Sequence, residues 1–231
     1  MSVTITSIAG GAPKPVFDRL GPLYEKRNGN KLNALYDSMS GIAARVAAHE
    51  ALDVLLMPVA TIEVYVKQGI VRGACTPLAN IGLAVGVTAG RPVPDVSTPE
   101  ALRASLLAVG SIVHAPPTAT PSGAQSDKVI KQLGLADQLS GRVMHKVGLA
   151  GGLAAIASGE ASLGIFPKSE IVSVKGIALA GPLPPSLQLI VTYGAGVTAS
   201  SMVATQAAEF VRFLIEPESL KIWIDCGFDP I

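Results

Sequence analysis

Cysteine and histidine are nearly absent from this chain. Its 231 residues include two cysteines, Cys75 and Cys226, and three histidines. Such widely spaced thiols and imidazoles offer no metal-ligand pattern, so no metal is expected. A Cys75–Cys226 disulfide is one reading, and two buried free thiols are the expectation. Charge is also sparse: 15% of residues are charged and the net charge is +1. Without a basic stripe, nucleic acid is not an expected partner, and no acidic or polybasic tail is present. Aromatic residues make up 4%. The longest apolar runs are interrupted by Gly and Pro or are too short to span a bilayer. No G-x-x-x-x-G-K-[ST] and no helix-opening G-x-G-x-x-G occurs, so no nucleotide cofactor is expected. No G-x-S-x-G elbow supports a serine hydrolase.

What the chain does have is aliphatic residues and glycine. It is 49% hydrophobic, with 24 Gly and 17 Pro. That composition suits α/β proteins with buried parallel strands. The chain begins Met1-Ser2-Val3-Thr4-Ile5 and enters a strand at once. As it stands it lacks a basic, apolar leader, which predicts a cytoplasmic protein, or a periplasmic one if a leader has been removed.

Hydrophobic periodicity predicts strands at 3–9, 31–36 and 53–57, alternating with helices after Pro13, Asp37 and Pro58. This βαβαβα order implies a parallel sheet. CTPLANIGLAVGV, from Cys75, reads as strands linking two lobes. Ser97 is predicted to cap the next helix, with Glu100 completing a capping box. Strands are predicted at 109–114, 142–147, 163–166, 175–179 and 188–193, and helices at 206–215 and 217–224. The termini then share one lobe, 1–78 plus 195–231, and 79–194 forms the other.

The stretch AGGLAAIASGEASLGIF, Ala150 to Phe166, is the densest in information. Glycines at a helix start let a backbone approach a ligand and leave N–H groups aimed at it. That makes an anion site without charge.

Several segments, in order, resemble the periplasmic molybdate-binding proteins of ABC transporters. ITSIAGGA, LYEKRNGNKL and DSMSG followed by IAARVAAHEALDVLLMP match the family's first strand, helix and serine-rich loop. TPSGAQSDKVIKQLGLADQL resembles the family's VPAGRYAKEALEKLGLWDAL. The Ala150–Phe166 stretch resembles VRQALALVESGEADAGIVY, and EPESLKIWIDCGF resembles SPEAQAILAKYGF. The resemblance implies a type II periplasmic-binding fold: two lobes, each a mainly parallel sheet flanked by helices, with a ligand cleft between them. It also implies a tetrahedral oxyanion held by hydroxyls and backbone N–H groups. Carried over, the binding positions fall on Gly11 and Ala12, Met39 and Ser40, Ser122, Leu149 and Ala150, and Pro167. Ala12 and Pro167 stand where the family has a serine and a tyrosine. Two side-chain donors are therefore lost, and a carboxylate becomes as suitable a ligand as molybdate or tungstate.

Three functions follow. The first is a solute-binding protein that closes on a small anion and serves an ABC permease. The second is an isomerase of small unsaturated polycarboxylates such as aconitate, an activity found among relatives of this kind. Helix N-termini would stabilise an enolate-like intermediate, and His114 or Lys168 would move a proton. The third is a cytosolic anion sensor. Each candidate has a plainer alternative. Ser40 and Ser122 suit helix caps, His114 suits a core histidine, and Lys168 suits a solvated lysine. His145 is expected to be structural, His49 solvated, and Asp53 bonded to backbone.

Overall fold

The computed structural model describes residues 2–231. The chain divides into two units, Met1–Asn80 with Val191–Ile231, and Ile81–Ile190. The divisions fall at 80/81 and 190/191, against the expected 78/79 and 194/195.

The first unit holds β1 (Thr4–Ala9), α1 (Lys14–Asn28), β2 (Lys31–Tyr36), α2 (Met39–Ala47), β3 (Val54–Pro58), α3 (Val59–Lys67) and β4 (Val71–Ile81), whose last residue opens the second unit. The chain returns to it later. The second unit holds β5 (Leu83–Thr88), α4 (Pro99–Ala108), β6 (Ile112–His114), α5 (Pro121–Gln132), β7 (Val143–His145), a π turn (Leu149–Leu153), α6 (Ala154–Ser158), β8 (Leu163–Pro167), α7 (Lys168–Ser173), β9 (Ile177–Pro182) and a 3-10 turn (Pro185–Leu187). β10 (Val191–Thr198), α8 (Ala204–Leu214) and α9 (Pro217–Asp225) complete the first unit.

The first sheet has the order β2-β1-β3-β10-β4. β1 runs parallel to β2 and β3, and β10 runs antiparallel to β3. β3 reads as an unbroken apolar run because it is interior, and Val54 to Met57 are all buried. Asp53 ties its start to the sheet. Its carboxylate accepts from the Thr6 amide at 2.8 Å and the Ser201 hydroxyl at 2.6 Å. The scarce aromatics are concentrated in this unit, where all but Phe166 lie. Tyr24 of α1 meets Phe210 of α8 at 4.8 Å between ring centroids, and Trp223 of α9 meets Phe228 at 4.8 Å. Edge-to-face packing of this kind adds to burial in holding α1 against the two C-terminal helices.

The second sheet has the order β7-β6-β8-β5-β9. β6 is parallel to β7 and β8, while β5 is antiparallel to β8 and β9. Both sheets are mixed, a refinement of the mainly parallel expectation. The returning strand β10 in the first sheet and the opening strand β5 in the second run opposite to the βαβ set. Aliphatic residues from β5, α4, α5 and β8 fill the core, including Val85, Leu102, Val129 and Ile165.

Two local expectations are corrected. Thr98, not Ser97, caps α4, accepting from the Ala101 amide at 3.1 Å. The Ser97 amide instead donates to Asp95 at 2.9 Å. The glycine pair Gly151-Gly152 does not open the helix. The π turn starts at Leu149, so the pair lies inside it. Gly152 is needed for packing: a Cβ there would lie 2.2 Å from Phe166 Cζ and 2.8 Å from the Lys146 carbonyl oxygen. Among the described residues no helix is long and apolar enough to cross a membrane.

Candidate functional site

In the first unit, the candidate residues gather at the carboxyl ends of the adjacent parallel strands β1 and β2. After Ala9 the chain turns through Gly10, Gly11 and Ala12, with the Lys14 amide donating to the Gly11 carbonyl at 3.0 Å. Gly11 is exposed and Ala12 is buried at 5%. Gly10 is the point of closest approach. A Cβ there would lie 2.8 Å from Met39 Cε and 3.2 Å from the Tyr193 hydroxyl. Met39 from α2 and Tyr193 from β10 therefore stand over the first turn. Tyr193, which sequence reasoning passed over, brings a phenol hydroxyl beside Gly10 in the first turn. Only its place on a strand returning from 110 residues away brings it there, so no local signal marked it.

Ser40 does not cap α2. Ser38 does, accepting from the Gly41 amide at 3.0 Å, and its Oγ lies 3.1 Å from Ser40 Oγ. The Asp37 carboxylate also sits at this helix start, accepting from the Ser38 amide at 2.7 Å.

The second unit repeats the device. Thr120, not Ser122, caps α5, accepting from the Gly123 amide at 3.0 Å, and its Oγ1 lies 2.9 Å from Ser122 Oγ. Ser38-Met39-Ser40-Gly41 and Thr120-Pro121-Ser122-Gly123 thus share one pattern: cap hydroxyl, spacer, second hydroxyl, glycine. Each pair holds two hydroxyl protons and makes one internal hydrogen bond, which leaves one O–H to donate outward. The first-turn N–H groups of each helix point the same way. Gly123 is required for close approach. A Cβ there would meet the carbonyl oxygens of Pro116 at 2.4 Å and Ala115 at 2.5 Å.

The other candidates of this unit end neighbouring strands. His114 closes β6, is 1% exposed, and lies within 2.8 Å of the Ala115 carbonyl through Nδ1. A carbonyl only accepts, so Nδ1 carries the proton and Nε2 bears the lone pair. Nε2 is buried and makes no hydrogen bond among the described residues. Burial pushes the His114 pKa below its ordinary value. His145, its register partner on β7, packs edge-on with ring centroids 4.8 Å apart. His145 was expected to be structural, yet it is exposed. Leu149 and Ala150 form the exposed first turn after β7. Pro167 ends β8 and Lys168 opens α7, its amide donating to the Gly82 carbonyl at 3.0 Å. His49 is exposed at the end of α2, at φ 55°. Both cysteines are free thiols. Among the described residues, no three His, Cys, Asp or Glu side chains gather as a metal site.

Hydroxyl-capped helices at the carboxyl ends of parallel strands, one in each of two α/β units, are a layout for binding small solutes. The chain belongs to the bacterial extracellular solute-binding protein family, whose sequence profile matches residues 5–229. It is similar to aconitate isomerase from Pseudomonas sp, with 25% identity over 99% of this chain and 88% of that protein. It is also similar to the molybdate-binding protein ModA of Escherichia coli K12, with 30% identity over 54% of this chain and 48% of that protein. Among solved structures, it superposes on the Azotobacter vinelandii periplasmic molybdate-binding protein with a TM-score of 0.79. That match has 18% identity and covers 97% of this chain and 98% of that one. The fold is of the periplasmic-binding-protein kind.

Proposed function

We propose that this protein is a small-anion binder whose donors are hydroxyl-capped helix starts, Ser38–Ser40 on α2 in the first unit and Thr120–Ser122 on α5 in the second. The observation that carries this reading is the repetition of one donor device in both units. A hydroxyl pair with one spare O–H, set beside the first-turn N–H groups that the cap does not take (Met39 and Ser40 on α2, Ser122 on α5), is an array of donors. Such an array suits an oxyanion or carboxylate. The exposed turn at Leu149–Ala150 adds further N–H groups. Pro167 adds no donor, which moves the ligand away from a strictly molybdate-type set. On this reading the protein delivers its anion to an ABC permease and works outside the cytoplasmic membrane, in keeping with its family.

A second reading, isomerisation of a small unsaturated polycarboxylate, is favoured by one feature. His114 Nε2 is a buried lone pair with no hydrogen-bond partner among the described residues, at the end of the strand that leads to the Thr120–Ser122 pair. A base there could take a proton from carbon, and the donor array would hold the negative charge that develops.

A thermal-shift series with molybdate, tungstate, sulfate, phosphate and trans-aconitate tests both. Binding raises the transition with ligand concentration relative to Kd. At least one anion is expected to stabilise the protein, and Ser40→Ala and Ser122→Ala are each expected to weaken that effect. If no anion shifts the transition, the reading fails. If aconitate binds and its vinylic proton exchanges with deuterated water, the isomerase reading replaces simple transport.

A further inference from the structure

We propose that His114 couples anion capture to proton uptake, its Nε2 taking one proton from bulk solvent as an anion docks at the carboxyl end of β6. This rests on the anion-binding reading and names how that site is regulated.

The tautomer is set by the Ala115 carbonyl, 2.8 Å from Nδ1. The Nδ1–H stays where it is, and the only atom that can gain a proton is Nε2. That atom is buried and lacks a hydrogen bond among the described residues. Leaving a buried acceptor in that condition is costly, because it has given up water without gaining a partner. Protonating it creates an ammonium-like donor that equally needs an acceptor. The groups facing it cannot serve. His145 of β7, packed edge-on against it, disfavours the charged form of His114. Asp127 of α5 favours protonation only weakly, since its carboxylate is 2.6 Å from Lys131. Lys146, next along from β7, gives its ammonium to Glu160 at 2.6 Å. β8 lies alongside with the apolar run Leu163 to Phe166. A protonated His114 therefore waits for a negative charge from outside the chain. An anion beside the Thr120–Ser122 pair supplies both charge and acceptor. Linkage is reciprocal: if the anion raises the proton affinity of Nε2, protons raise the affinity for the anion by the same factor.

The test is calorimetric titration of the whole chain with sulfate, molybdate and trans-aconitate. Each is titrated between pH 5.5 and 7.5, in buffers of different ionisation enthalpy. For any probe that binds, uptake is expected to approach one proton per anion. The affinity should rise as pH falls, approaching tenfold per pH unit where uptake is complete. His114→Gln should abolish both the uptake and the slope, whatever its absolute Kd. With only three histidines in the chain, imidazole 15N spectra of the unaltered protein give a second readout. His114 should be the Nδ1–H tautomer without anion and doubly protonated with it, near neutral pH. Binding without proton uptake, or uptake that persists in His114→Gln, overturns the inference and leaves the anion reading standing. No binding by any of the three probes overturns both.

Discussion

Glu170 provides a quantitative test of the second unit. It lies in the first turn of α7, half-buried, beside the fully buried Ile171 that packs under Gly86. Loss of water alone pushes its carboxyl from an ordinary 4.5 up to about 7. At 1.36 kcal/mol for each pH unit, that difference is worth about 3 kcal/mol, an upper figure given residual solvent access. The sign follows from proton counts. Between pH 4.5 and 7 the folded state holds a proton that the unfolded state has released, so stability falls as pH rises through this window. It levels off above about 7. Glu170→Gln keeps the shape and removes the charge. The variant should match the parent near pH 4.5 and exceed it by up to about 3 kcal/mol at pH 8. The sole tryptophan, Trp223, lies in the other unit, so its fluorescence is the wrong probe. Hydrogen exchange of peptides covering β8 and α7, measured across urea at pH 5 and pH 8, reports the right one. If the two proteins keep parallel unfolding free energies from pH 5 to 8, the carboxyl is solvated and the desolvation argument is wrong.

His114 predicts the opposite slope. Its lowered pKa means that the unfolded chain binds more protons below about 6.5. The anion-free protein should therefore lose stability as pH falls from there, and His114→Gln should lose less of it, as read by hydrogen exchange of β6. Gly123→Ala should cost roughly 1–3 kcal/mol by overpacking against the Ala115 and Pro116 carbonyls and should weaken anion binding; a thermal melt and an anion titration check both. Thiol titration in denaturant should find two free cysteines per chain with no added reductant. In the folded protein Cys75 should react slowly, since burial raises its thiol to about 11.

The elements were legible where local pattern and tertiary role agree. β2 and α9 come close to their expected bounds, because period and breakers such as Asn28-Gly29 and Pro217 act within a few residues. Caps were placed one residue early at Ser97 and two residues late at Ser40 and Ser122. Several adjacent hydroxyls compete there, and only the backbone angle at one residue makes it the cap. The candidate turns at Gly11, Ser40, Ser122 and Leu149 were reached through resemblance to a family, which aligns loops that composition cannot rank.

The linear order of apolar runs, prolines and glycines by itself determined an α/β chain of two similar parts, because burial and backbone sterics are local demands. The tertiary structure alone decided that β5 and β10 enter their sheets antiparallel. It placed Tyr193 over Gly10 and set His145 against His114. It also showed that Gly152 admits the Phe166 ring. These are contacts between residues far apart in the chain. Their energies depend on distance and solvent access, which no stretch of neighbouring residues encodes.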